Sequence, residues 1–112
     1  LPKARQDMEA GMVNIVNVVK CKVKEGYEDA FVAAINDYDY SNSNFMRVIA
    51  LEDNHYVSIM EYDDIEKTGQ DEVTGLSWLD RVENMLEFFS ESRTDAYSGI
   101  VMAEFSNADI FK

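Results

Sequence analysis

The sequence predicts one α+β domain whose elements run β-α-β-β-α-β, a four-stranded antiparallel sheet with both helices on one face. Three observations lead there. Four segments, at 12–23, 45–51, 56–62 and 97–105, are rich in β-branched and aromatic residues. Two others, around 27–38 and 76–90, carry apolar residues at helical spacing. The chain has 112 residues, 46% of them hydrophobic and 12% aromatic, with no internal linker, which suits one core rather than two.

Residues 1–11 mix charges and alanines without a period and read as an N-terminal arm, and 107–112 read as a C-terminal tail, so the domain is expected at 12–106. MVNIVNVVKCKV, Met12 to Val23, is the first strand. Alternation puts Val13, Ile15, Asn17, Val19, Cys21 and Val23 on one face and Asn14, Val16, Val18, Lys20 and Lys22 on the other. After Lys24-Glu25-Gly26 the period changes, and Tyr27, Phe31, Ala34, Ile35 and Tyr38 mark a helix that the turn formers of 37–44 end. FMRVIAL (45–51) and YVSIMEY (56–62) flank the polar break Glu52-Asp53-Asn54-His55 and should form an antiparallel hairpin. Acidic residues and Gly69 in 63–71 suggest a short or broken helix. Trp78, Leu79, Val82, Met85, Leu86 and Phe89 then mark an amphipathic helix over 76–90, and YSGIVMAEF (97–105) is the last strand. This order is the ferredoxin-like one. Two helices cover one sheet face only, so the apolar side chains of the other call for a second sheet, which an identical chain supplies most simply; a homodimer through the open face is expected.

With 22 acidic against 10 basic residues the formal charge is −12, which opposes binding to nucleic acid or an anionic lipid surface. No apolar stretch is long enough for a membrane span, and the amino end, with Lys3, Arg5, Asp7 and Glu9, lacks the apolar block of a secretory signal. One cysteine, Cys21, and six methionines suit a reducing compartment, so the cytoplasm is expected.

Several residues carry chemistry. His55 titrates near neutral pH when free, but a turn position favours solvent exposure. Cys21 has Lys20 and Lys22 beside it, yet both point to the other strand face, which favours a buried, inert thiol. Asp37, Asp39, Ser41 and Ser43 alternate like the first ligands of a calcium loop; Asn42 and Val48 then stand where glycine and glutamate are needed, so no metal is expected. The pairs Asp63-Asp64 and Asp71-Glu72 read as solvated helix caps. Asn17, between Ile15 and Val19, must find hydrogen-bond partners if buried, from a ligand or from a neighbour. Arg47 could anchor an anionic ligand or pair with Glu61 across the hairpin.

VNVVKCKVKEGYEDAFVAAI (16–35), a strand ending in Val-Lys-Glu-Gly with an acidic helix straight after, resembles the opening of dimeric α/β-barrel proteins of the antibiotic biosynthesis monooxygenase type. The hairpin around Asp53-Asn54 followed by SIMEYDDIE (58–66) is similar to their second hairpin, with Tyr62 where many members have tryptophan, and the likeness continues from Trp78 to Phe105. The resemblance implies a dimer with sheets face to face and, in each subunit, a cleft between sheet and helices for a hydrophobic small molecule. It implies a catalytic asparagine on the first strand, which Asn17 matches, and a histidine at the start of the last helix, where this chain has Val73-Thr74-Gly75. The implied walls are Ile15, Val19, Phe31, Ile35, Trp78, Val82 and Leu86, and the polar contacts are Tyr27, Arg47, Tyr62 and Asn17. Expected is a binding protein, or a cofactor-independent oxygenase, for a lipophilic anion such as a polyketide-like or fatty-acyl compound. The alternative is a non-catalytic homodimeric interaction module with a filled interior.

Overall fold

The structure, a computed structural model, describes residues 14–105. The expected arm, the tail and the first residues of the first strand, Met12 and Val13, lie outside the described residues. Strand β1 (Ile15–Val23) is the centre of the sheet. It pairs antiparallel with β3 (His55–Tyr62) from Ile15 opposite Tyr62 to Lys22 opposite His55. Strand β2 (Phe45–Ala50) lies outside β3, with Met46 opposite Met60 and Val48 opposite Ser58. Two strands share the other flank of β1: β4 (Leu86–Glu87) beside Lys22 and Val23, and β5 (Asp95–Ile100) from Lys20 to Ile15. The hairpin between β2 and β3 turns through Asp53 and Asn54, both at positive φ, which Asp and Asn tolerate better than most residues.

Helix α1 (Glu28–Asn36) starts after a turn at Gly26, whose φ of +94° suits a residue without a Cβ. The Glu28 carboxyl accepts from the Gly26 N–H at 2.9 Å, which holds it below the usual carboxylate range, and ties the turn to the hairpin through Asn54 Nδ2 at 2.9 Å. Phe31 is the only buried residue of this helix and docks it on the sheet.

Helix α2 (Ile65–Val82) departs from expectation at both ends. The short helix expected over 63–71 and the later helix over 76–90 are one continuous helix of 18 residues. Asp64 caps it, accepting from the Glu66 N–H at 2.8 Å. Gly69 and Gly75 each cost about 1 kcal/mol relative to alanine, less than the helix gains by laying Trp78, Leu79 and Val82 on the sheet. At its far end the helical spacing runs on through Met85, Leu86 and Phe89, but the flank of β1 takes Leu86 as a strand partner of Val23, and the Lys24 N–H bonds the Met85 carbonyl at 2.8 Å. Tertiary pairing thus overrides the local period. A 3₁₀ turn, Glu83–Met85, bridges helix and strand. The last strand starts at Asp95 rather than Tyr97 and stops at Ile100 rather than Phe105, with Val101 N–H still bonded to the Asn14 carbonyl.

Both helices lie on the face of Asn17, Val19, Cys21 and Val23. Its core is Cys21, Val23, Phe31, Val82 and Leu86, with Trp78 and Tyr56 packed against it. The Phe31 ring sits 5.0 Å from Tyr56 and 5.8 Å from Trp78, centroid to centroid. The opposite face carries Val16, Val18, Val57, Ile59, Phe45 and Ile49 among charged residues, with Phe45 38% and Ile49 44% exposed.

Candidate functional site

At the centre of the site is a carboxyl group that the sequence reading placed in solvent. Asp71 lies within α2, not at a cap, and is only 3% exposed. Its burial is possible because two phenols reach it. Tyr38, just beyond α1, donates to Oδ1 at 2.8 Å, and Tyr62, the last residue of β3, donates to Oδ2. Both carboxyl oxygens thus accept from a phenol. Glu72 beside it is exposed, as expected.

The network continues into the sheet. Asn17 faces Met60 on β3 and Ser98 on β5. Ser98 Oγ donates to Asn17 Oδ1 at 2.7 Å, and the Asn17 side chain lies near the Tyr62 hydroxyl. A line of polar groups therefore runs from Ser98 through Asn17 and Tyr62 to Asp71, where Tyr38 arrives from the other side. Burial first, and Asp71 second, push the Tyr38 and Tyr62 hydroxyls well above the usual tyrosine range, while Asn17 draws Tyr62 back slightly. Both remain donors over the physiological range.

These shifts set an alkaline limit on stability. Each phenol holds its proton longer in the folded than in the unfolded chain, so the stabilisation is complete below the ordinary tyrosine value of 10.0 and is lost as pH rises above it. Cys21, pushed up to about 11 by burial from 9.0, adds the same sign from a lower pH. Unfolding free energy should fall by roughly 1.4 kcal/mol per pH unit for each phenol above that point. Urea titrations from pH 9 to 11 check this, and Tyr62→Phe should make the fall shallower.

Two cavities meet along this network. The outer one, about 530 Å³, lies between α2 and the β1–β5 side of the sheet, with Asn17, Asp71 and Ser98 on its wall. The inner one, about 90 Å³, is lined by Phe31, Ile35, Met46, Val48, Cys21 and Trp78. Tyr38, Met60, Gly75 and Leu79 border both. Trp78 Nε1 donates to the Ala34 carbonyl at 3.0 Å, which fixes the ring as part of the inner wall. Gly69 and Gly75 are both on the outer wall, and a Cβ on Gly69 would meet nothing within 4 Å. Part of the space is therefore made by side chains that α2 lacks. Gly69→Ala should raise stability by about 1 kcal/mol, and Gly69→Leu should fill part of the outer cavity; thermal melts and ligand titrations check the two.

The expected site residues divide. Asn17, Val19, Phe31, Ile35 and Trp78 line one or both cavities, and Tyr62 lies beside them in the network. Val82 and Leu86 are core residues, 3% and 1% exposed, and lie outside both cavities. Ile15 lies outside both as well, between Tyr62 and Ile100 in the sheet, and so does Tyr27, 39% exposed at the start of α1. Arg47 is on the opposite sheet face, its guanidinium 5.7 Å from the Phe45 ring centre, and Phe45 rather than Arg47 stands opposite Glu61. His55 is half-buried rather than solvent-exposed, with Nδ1 2.9 Å from the Asp53 carbonyl oxygen. Val73-Thr74-Gly75 is in the middle of α2, not at its start. In the calcium-like run, the Asp39 carboxyl accepts from the Ser41 N–H at 3.0 Å, a local turn bond. Sequence reasoning missed Asp71, Tyr38 and Ser98 as site residues.

No family model and no curated protein matches the chain. Solved structures do. One from Nitrosomonas europaea, named as a candidate antibiotic biosynthesis monooxygenase, is 15% identical and superposes with a TM-score of 0.60 over 79% of this chain and 88% of its own. A dimeric ferredoxin-like protein from an uncultured marine organism is 12% identical, with a TM-score of 0.65 over 85% of this chain and 93% of its own. The fold is the ferredoxin-like one. A nipsnap family protein of unknown function from Agrobacterium tumefaciens shares it as well, at 17% identity and a TM-score of 0.56 over 83% of this chain and 91% of its own. The likeness to monooxygenase-type α/β-barrel proteins read from 16–35 and 58–66 thus holds at the level of the fold. Among the described residues no helix is long and apolar enough to cross a membrane, and no group of three or more His, Cys, Asp or Glu side chains is placed to hold a metal ion.

Proposed function

We propose that the chain binds a hydrophobic small molecule in the cleft between α2 and the β1–β5 side of the sheet, as a monooxygenase-like protein. The observation that carries this is the pair of joined cavities, one about 530 Å³ with a convergent polar network on its wall and one about 90 Å³ and apolar. A side-chain-filled interior would have no such space, which disfavours the interaction-module alternative. The expectation of an anionic ligand loses its support, because Arg47 faces away from the cleft.

If the ligand is also a substrate, the chemistry open to this site is proton removal followed by reaction with dioxygen, with no cofactor required. An acidic C–H or O–H of the substrate gives its proton to Asp71, directly or with Tyr38 as relay. The resulting carbanion transfers electrons to dioxygen, the oxidant, and a hydroperoxide forms on reprotonation. Asp71 then takes the part that imidazole would otherwise play. Oxygen uptake with an anthrone-type phenol tests it: turnover is expected, reduced on the order of 10²-fold or more in Asp71→Asn. Retention of ligand without uptake leaves a binding protein. No ligand by native mass spectrometry and no uptake refutes the reading.

The open sheet face supports a homodimer, as in the marine ferredoxin-like neighbour that is described as dimeric. Ile49 and Ile59 sit on this face with Val18 and Val57, and burying about half a dozen such side chains at roughly 1.5 to 3 kcal/mol each favours association. Sedimentation should give a dimer at micromolar concentration and a monomer for Ile59→Asp; a wild-type monomer refutes the pairing. The buried Cys21, with the reducing conditions a free thiol favours, supports a cytoplasmic location.

A further inference from the structure

The direction of the hydrogen bonds around Asp71 specifies more than the presence of a cavity. Ser98 spends its hydroxyl proton on Asn17, and Tyr38 and Tyr62 spend theirs on Asp71. What these groups still offer to the outer cavity is oxygen lone pairs: on Ser98 Oγ, on the Tyr38 hydroxyl and on the carboxyl itself, which has acceptor capacity beyond the two bonds it makes. The charged side chains on the cavity wall are Asp71 and Glu72, and among the described residues no lysine or arginine lines it. A ligand anion would meet the like charge of Asp71 on this wall, where the Asn17 amide is the donor beside these acceptors. A hydroxyl would find an acceptor at each of them.

The inner cavity sets the other end of the ligand. Its walls are apolar and aromatic, and Tyr38 and Gly75 stand where it joins the outer space. An apolar cavity of about 150 Å³ stays dry and takes a benzene-sized guest. A space of about 90 Å³ takes less, the end of an alkyl chain or a branched group of a few carbons.

We infer that the cleft selects an uncharged, hydroxyl-bearing lipophile, with its hydroxyl donated to the Asp71 and Ser98 side and its apolar end in the inner cavity beside Phe31 and Trp78, and that it discriminates against carboxylates. This rests on the binding reading above and narrows its ligand class. The enol or phenol that the oxygenase chemistry would need falls inside that class, and a free fatty acid falls outside it.

The test uses 1-octanol and octanoate, which share an alkyl tail, titrated into the full chain near neutral pH and followed by the fluorescence of the single tryptophan, Trp78. An apolar site disfavours any charge, so the decisive quantity is how the ratio of the two Kd values changes in Asp71→Asn. Loss of the like charge should narrow the preference for octanol by about tenfold or more. An unchanged ratio overturns the inference and leaves the binding reading standing, whereas failure of both probes to bind the wild type overturns both. A wild-type measurement covers the case in which Asp71→Asn does not fold. Nuclear Overhauser contacts of bound 1-octanol should run from its terminal methyl to the Phe31 and Trp78 rings and from its hydroxyl-bearing carbon to Tyr38. The reverse orientation overturns the inference.

Discussion

Asp71→Ala should lose about 3 kcal/mol or more of folding stability, seen as a lower urea midpoint at unchanged m-value. The substitution strands two tyrosine hydroxyls whose acceptor it removes, at about 1 to 3 kcal/mol each, and leaves a hole among them. Asp71→Asn should cost less, because the amide still offers one oxygen, and a hydroxyl can rotate to accept from its nitrogen. The stronger form of the prediction concerns all three residues together. A buried charge held by its neighbours is weak support for a fold, since its desolvation offsets much of what its bonds return. Asp71→Leu combined with Tyr38→Phe and Tyr62→Phe should therefore recover most of the stability lost in Asp71→Ala. If it does, and the preference for octanol over octanoate narrows with it as in Asp71→Asn, the trio is present for binding rather than for folding.

Phe31→Ala should be at least as damaging, by about 3 to 5 kcal/mol. Phe31 is 2% exposed and is the one buried side chain of α1, so the nine-residue helix has no other deep anchor on the sheet. Its loss also removes ring contacts to Tyr56 and Trp78 and merges new empty volume with the inner cavity. Val32→Ala, at a neighbouring position that is 45% exposed, should stay within about 0.5 kcal/mol and serves as the control. Hydrogen exchange adds a local readout: amides of 31–36 should lose protection in Phe31→Ala before those of β1 do.

How much of this was legible in the chain follows from how local each signal is. The alternation of 15–23, the hairpin at 52–55 and the spacing of Phe31, Ile35, Trp78 and Leu79 are statements about near neighbours, and each placed its element, while the face of 15–23 that meets the helices stayed open because both parities are apolar. Helix α2 was divided because Gly69 looks like a break when weighed by propensity alone. The same division hid Asp71. In a continuous helix it stands four residues before Gly75 and eight before Leu79, on the stripe that faces the sheet, whereas at the end of a short helix it passes for a solvated cap. Leu86 was assigned to a helix because its spacing fits one, and the backbone of Val23, more than sixty positions earlier, decides otherwise. Ser98 meets Asn17 across a separation of 81 residues, which no window along the chain can contain. Asn17 itself was singled out for its apolar neighbours, a local signal, and it lines the outer cavity with Ser98 as a partner.

The ladder between β1 and β5 sets Ser98 directly across from Asn17. Because side chains on adjacent positions of a strand point to opposite sides, this alignment has no intermediate setting. Sliding β5 by a single step would put Tyr97 or the bare Gly99 at that place and send the serine to the far surface. The selectivity of the cleft is thus inherited from backbone frame, and a loop change between 88 and 94 that preserved every side chain named above could still abolish it by moving the frame.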